Sequence, residues 1–132
     1  MSHAIHIKVY YEDTDAGGVV YYANYLRFLE RARTELLLEH GVHVADYHNK
    51  GIYFVIAHVD ITYRKPARLG EIIDVTTAVK EVRNASMILH QTVTRDRTLL
   101  AEADVTIACV DQRGKPIRLP EGLRKLPGDI AG

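Results

Sequence analysis

The chain has 132 residues, and its 17 basic and 17 acidic side chains leave a formal net charge of zero. A length of this order suits one domain that buries roughly two-thirds of its unfolded surface without a disulfide or metal staple. Neutrality argues against a generally basic nucleic-acid binder, the lone Cys109 excludes an internal disulfide or cysteine zinc cluster, and no apolar run has signal-peptide or membrane-span length.

One cytoplasmic domain over residues 1–132 is therefore expected. Residues 5–11, IHIKVYY, alternate and are β-prone, which predicts a strand ending at Tyr10 to Glu12. The spacing then changes. Tyr22, Tyr25, Leu26, Leu29, Ala32, Leu36 and Leu37 recur at threes and fours, predicting one helix over about 22–40. Arg27, Glu30, Arg31, Arg33, Glu35 and Glu39 fall on its polar side, and Gly41 is its stop. A short second helix is expected at 43–50.

Four strands follow, at 53–63, 71–82, 87–95 and 99–110, separated by turn-forming RKPARLG, RNAS and RDRT. In the first of them Tyr53, Val55, Ala57, Val59, Ile61 and Tyr63 should share a face, with His58 and Asp60 opposite. Ile73, Val75, Thr77 and Val79 form the next apolar face, and Met87, Leu89, Gln91 and Val93 the one after. Cys109 falls in the apolar alternation of the last strand and reads as core. From residue 117 a loosely packed tail is expected, with one helical turn at 121–126. Strand, helix and four strands with short turns make an α+β domain, its helix packed on one face of an antiparallel sheet.

The segment YYEDTDAGGVVYYANY, residues 10–25, carries the chemistry. Asp15 precedes Gly17-Gly18, and the long helix begins soon after. A helix leaves its first N–H groups unpaired and its N-terminus partly positive. No Ser, Thr, Asp or Asn stands at 20–23 to cap it; Asn24 could cap a later start. Such N–H groups suit a developing oxyanion, and a carboxylate beside them suits nucleophilic attack or water activation. Two other readings stay open: acids that complement the helix dipole beside an ordinary turn, or a divalent-cation site at Glu12, Asp13 and Asp15.

The same residues carry a resemblance. YYEDTDAGGVVYYANYLRFLERARTE resembles the signature of YbgC-type acyl-CoA thioesterases, in the 4-hydroxybenzoyl-CoA thioesterase branch of the hotdog-fold superfamily. FVIAHVDITYRKPARLGE is similar to that family's central strand and Tyr-x-x-Pro-Ala turn, and LLAEADVTIACVD to its last strand. The resemblance implies a five-stranded antiparallel sheet wrapped around one long helix. It implies a homodimer paired edge to edge, or a homotetramer, with active sites at the dimer interface. Asp15 would be catalytic, and the N–H of Tyr22 would polarise the thioester carbonyl, with Asp13 as structural support. Gly17 and Gly18 would shape the approach to substrate. Asn24 and Tyr25 either line the pocket or simply start the helix.

The activity so implied is hydrolysis of a short- to long-chain or aromatic acyl-CoA, Asp-dependent, without metal or other cofactor. Coenzyme A phosphates call for cations; Arg64, Lys65 and Arg68 in one turn are candidates, and the family places basic residues near Arg83. An acyl carrier protein is a further possible partner. The alternative is a non-catalytic acyl-CoA or acyl-carrier-protein scaffold linked to the cell envelope. A hotdog hydratase would need a motif histidine, and none occurs between His6 and His40.

Overall fold

A computed structural model describes residues 2–126. Its strands are β1 (Ser2–Lys8), β2 (Tyr53–Tyr63), β3 (Ile72–Val82), β4 (Ser86–Arg95) and β5 (Thr98–Val110). Its helices are α1 (Asn24–Glu39), α2 (Val44–Asn49) and α3 (Glu121–Arg124). The five strands form one antiparallel sheet in the order β1-β3-β4-β5-β2. The sheet packs its apolar face on α1, as α+β reasoning predicts.

The first strand ends earlier than its alternation suggests. Tyr10 donates its N–H to the Asp13 carboxylate at 2.8 Å, and Tyr11–Asp13 close a 3-10 turn. A side chain thus takes the donor that a continuing ladder would need, so Tyr10 to Glu12 leave the sheet.

On α1 the buried residues are Tyr25, Phe28, Leu29, Ala32, Arg33, Leu36 and Leu37. Phe28, Leu29 and Leu36 are essentially sealed, each worth about 1.5–3 kcal/mol of apolar burial. Tyr22 precedes the helix, and Leu26 lies toward solvent, so the predicted stripe is rotated. Arg33, expected on the polar side, lies four residues from both Leu29 and Leu37 and is drawn inward with them. Its Nη1 donates to Gln91 Oε1 at 3.1 Å. Gln91, on the core face of β4 as expected, donates in turn to the Leu29 carbonyl and Thr77 Oγ1, both at 2.9 Å.

Strand β2 corrects the simple alternation. Its pairing with β5 slips between Ile56 and His58, leaving Ala57 as a bulge. Before the bulge Phe54 and Ile56 oppose the core residues Cys109 and Ile107; after it Val59 and Ile61 oppose Val105 and Ala103. Strict period two placed Val55 and Ala57 with Val59, and one extra residue moves them to the other face. His58 and Asp60 stay on the face away from α1, opposite Thr106 and Asp104.

The β4–β5 turn is a two-residue loop. Asp96 and Arg97 take φ of 48° and 70°, the left-handed pair that matches strand twist. The expected loose tail is packed as far as residue 126. Ile117 N–H bonds the Cys109 carbonyl, Leu119 N–H bonds that of Asn84, and Leu119 and Leu123 are sealed in the core. The rest of that tail, residues 127–132, lies outside the described residues. No described helix is long and apolar enough to cross a membrane.

Candidate active site

The segment between β1 and α1 is a small hairpin. Thr14 bridges Val20, Asp15 N–H bonds the Val19 carbonyl at 2.9 Å, and Gly18 N–H bonds that of Asp15 at 3.1 Å. Gly18 has φ of 77°, a conformation that L side chains rarely adopt. Gly17 serves differently. A Cβ there would stand 3.3 Å from Asp15 Oδ1, and its N–H donates to that oxygen at 2.9 Å. The hairpin is fastened to the β2–β3 connection by Val20 N–H to the Ala67 carbonyl and Leu69 N–H to the Gly18 carbonyl.

Two aspartates in this hairpin have opposite surroundings. Asp13 is buried; its carboxylate accepts from Tyr10 N–H and from the Asn24 amide at 2.9 Å, and its carbonyl accepts Tyr21 N–H at 3.0 Å. Asp13 therefore holds the hairpin to the start of α1. Asn24, considered as a cap, instead spends its amide on Asp13, and Ala23 occupies the cap position with no side-chain bond. Asp15 is exposed, and among the described residues only the Gly17 N–H bonds its carboxylate.

Asp15 and Asn24 line one groove of about 330 Å3, together with Tyr21, Ala23 and Arg27. Among the described residues, the N–H groups of Tyr22 and Ala23 have no hydrogen-bond acceptor. The groove thus combines an exposed carboxylate, an uncapped helix start and a cation at Arg27.

Tyr22, Tyr25, Arg64 and Lys65 meet at a second hollow of about 220 Å3. Tyr63 Oη donates to the Tyr22 carbonyl at 2.9 Å, and its ring lies 5.3 Å from Tyr25 and 6.3 Å from Tyr22. Tyr25 Oη accepts the Ala67 N–H at 3.0 Å. Burial pushes the Tyr25 and Tyr63 hydroxyls above the ordinary phenol range, so both remain neutral hydrogen-bonding groups at physiological pH. Arg64 pairs with Glu102 at 2.8 Å.

Arg83 stands apart within one chain. It lies beyond the Val82 end of β3 and pairs with Glu81 at 2.8 Å, whereas the hairpin adjoins the Ile72 end. Eleven residues of strand separate the ends, about 35 Å at strand rise. Tyr21 and Arg27 were not singled out by the sequence as groove residues; each lies three positions from Asn24 and enters the groove beside it. Tyr63 enters the second hollow through its contacts with Tyr22 and Tyr25. Among the described residues no group of three or more His, Cys, Asp or Glu is placed to hold a metal ion.

The thioesterase-like superfamily model matches residues 9–126. An acyl-CoA thioester hydrolase YbgC of Escherichia coli O6:H1 is 40% identical over 119 residues, 89% of each chain. An acyl-CoA thioesterase YbgC of Haemophilus influenzae is 40% identical over 120 residues, covering 89% of this chain and 88% of the relative. The chain belongs to the YbgC-type thioesterase family. Its fold agrees: the crystal structure of a probable thioesterase from Bartonella henselae superimposes with a TM-score of 0.87 at 33% identity, over 91% of this chain and 100% of that one. The sheet wrapped on α1 is thus the hotdog fold of this family, and the Asp15 hairpin falls within the matched span.

Proposed function

We propose that this chain hydrolyses acyl-CoA thioesters with Asp15 as its reacting carboxylate. The observation that carries the reading is the groove in which exposed Asp15 and the uncapped start of α1 stand together. The thioester carbonyl would lie at the edge of that groove with its oxygen toward the N–H of Tyr22, which stands between the groove residues Tyr21 and Ala23 and lines the adjoining hollow. That donor, backed by the helix dipole, strengthens its bond as charge develops on oxygen, and a single donor of this kind contributes about 10²–10³ in rate.

Two routes use the same geometry. In one, an Asp15 oxygen attacks the carbonyl carbon, the C–S bond breaks, and coenzyme A leaves as thiolate. Water then cleaves the acyl–Asp15 anhydride, releasing the acid and restoring the carboxylate. In the other, Asp15 takes a proton from the attacking water, and no acyl-enzyme forms. Neither route requires a metal, since the carboxylate supplies the base or nucleophile and the N–H supplies the electrophile.

Arg64 and Lys65 support coenzyme A binding, because they place cations beside the Tyr22 hollow where phosphates could rest. Gly17 and Gly18 keep side-chain bulk away from that approach. Arg83 joins this reading only if a second copy brings it near. Strand β2 supports such pairing: it is a sheet edge with Val55 and Ile56 exposed at 41% and 46%. The reading is therefore a cytoplasmic homodimer or homotetramer acting on coenzyme A or acyl-carrier-protein esters.

The test is thiol release from a panel of acyl-CoAs, acetyl to palmitoyl with aromatic members. Turnover with at least one is expected. Background rates across the panel would leave the scaffold reading in its place. Single turnover in 18O-labelled water, with label then found in the Asp15 carboxylate, would support the anhydride route.

A further inference from the structure

The core holds a cation that the proposed chemistry does not use. Arg33 is 8% exposed, yet among the described residues no carboxylate lies within ion-pair distance of it. Its Nη1 donates to Gln91 Oε1, a neutral acceptor that Leu29 and Thr77 hold in place. A guanidinium carries five donors, and a buried charge without an anion is costly. Burial accordingly pulls Arg33 below the ordinary arginine range, with Glu30 opposing the shift.

Arg33 lines a slot of about 190 Å3 between α1 and the β2 side of the sheet. Glu30, Arg33, Thr34 and Leu37 supply its helical wall at i, i+3, i+4 and i+7, so they form one stripe. Phe54 and Ile56 of β2 stand opposite. Glu30 is the acid of that stripe. It is exposed and, among the described residues, in no ion pair. One stripe therefore carries a buried cation that lacks an anion and an exposed anion that lacks a cation.

The two edges of the sheet differ. On β1, His6 and Lys8 are exposed, the kind of side chain that keeps an edge strand single. Strand β2 is 11 residues long and exposes Val55, Ile56 and Tyr63. A long apolar edge is a template for another strand. Two copies of β2 paired antiparallel are related by a two-fold axis normal to the sheet. That operation keeps both α1 helices on one face, runs them in opposite directions and turns their β2-facing stripes toward each other. In such a contact the two surfaces exchange roles, so a cation that meets an anion does so twice.

We propose that Arg33 receives its anion from a second copy of this chain, with Glu30 of the partner subunit entering the slot and Glu30 of this chain entering the partner's slot in return. Residues 30 and 33 stand about 4.5 Å apart along α1, so a two-fold axis midway between them closes both pairs at once. Each pair is a charge-assisted one between guanidinium and carboxylate. The same contact covers the exposed Ile56. The inference rests on the homodimer reading above and not on the chemistry of Asp15.

The experiment begins with sedimentation equilibrium of the whole chain. Glu30→Gln, an exposed change that leaves the core intact, should raise the dimer dissociation constant by about tenfold or more, because each guanidinium then stays buried without an acid. A second arm mixes Glu30→Gln chains with Arg33→Met chains. Neither homodimer holds a complete pair. The mixed dimer holds one, with Arg33 from the first chain and Glu30 from the second. Native mass spectrometry of an equimolar mixture should show mixed dimers well above the share of about half that random pairing gives. A pair closed within one chain gives no such excess, since neither variant has both groups. The proposal is overturned by Glu30→Gln dimers as tight as wild type, or by mixed dimers at the random share. If Arg33→Met does not fold, the Glu30→Gln constant decides alone. A monomeric wild type would overturn the homodimer reading as well, and the acyl-CoA assay would stand apart from all three results.

Discussion

Two aspartates on one arm of the hairpin before α1 put the same side chain to different uses. Asp13 is buried and spends both carboxylate oxygens on Tyr10 and Asn24. Asp15 is exposed and, among the described residues, held only by the adjacent Gly17 N–H. A carboxylate with both oxygens occupied is a fastener, and one with an oxygen to spare can react. Two residues of separation thus divide a fastened carboxylate from one left free for the proposed chemistry.

The sharpest break of that comparison is Asp15→Asn. It keeps the shape and the Gly17 contact, so the melting temperature should hold while turnover falls by about 10³-fold or more. Unchanged stability with near-normal turnover would sink the assignment of Asp15. The mirror experiment is Asp13→Ala. It strands a backbone N–H and the Asn24 amide, and should cost about 2–3 kcal/mol in denaturant unfolding, with activity following the lost hairpin. An Asp13 variant as stable as wild type would erase the contrast.

Smaller changes sharpen the same line. Tyr25→Phe removes the acceptor of the buried Ala67 N–H and should cost about 1–2 kcal/mol in thermal or chemical melts. Gly18→Ala meets open space but forces a positive φ, so about 1 kcal/mol should be lost through backbone strain alone. The hairpin would then change shape by strain, and turnover should fall more than stability does.

The same contrast shows what could be read beforehand. Asp15 and Gly17-Gly18 are local features, legible because a carboxylate, a turn and a helix start lie within ten residues. That Asn24 would anchor to Asp13 and not cap the helix depended on where a hairpin folds back, which no spacing records. In β2, the period-two pattern failed at Ala57, because a bulge alters phase without altering composition. Arg33 was read by residue type as a surface cation. Its neighbours at four-residue spacing, and a glutamine 58 positions away, put it in the core.

By itself the sequence determined the element order and the core faces of β3 and β4, and it singled out Asp15 as the acid of the proposed chemistry. These depend on periodicity and on backbone chemistry within a few residues, and both are written locally. Only the tertiary structure decided the phase of β2, the packing of residues 117–126, the separation of Arg83 from the Asp15 groove, and the buried place of Arg33. Each depends on contacts between distant segments, where the cost of burying a charge or shifting a register is set by what the rest of the chain brings to meet it.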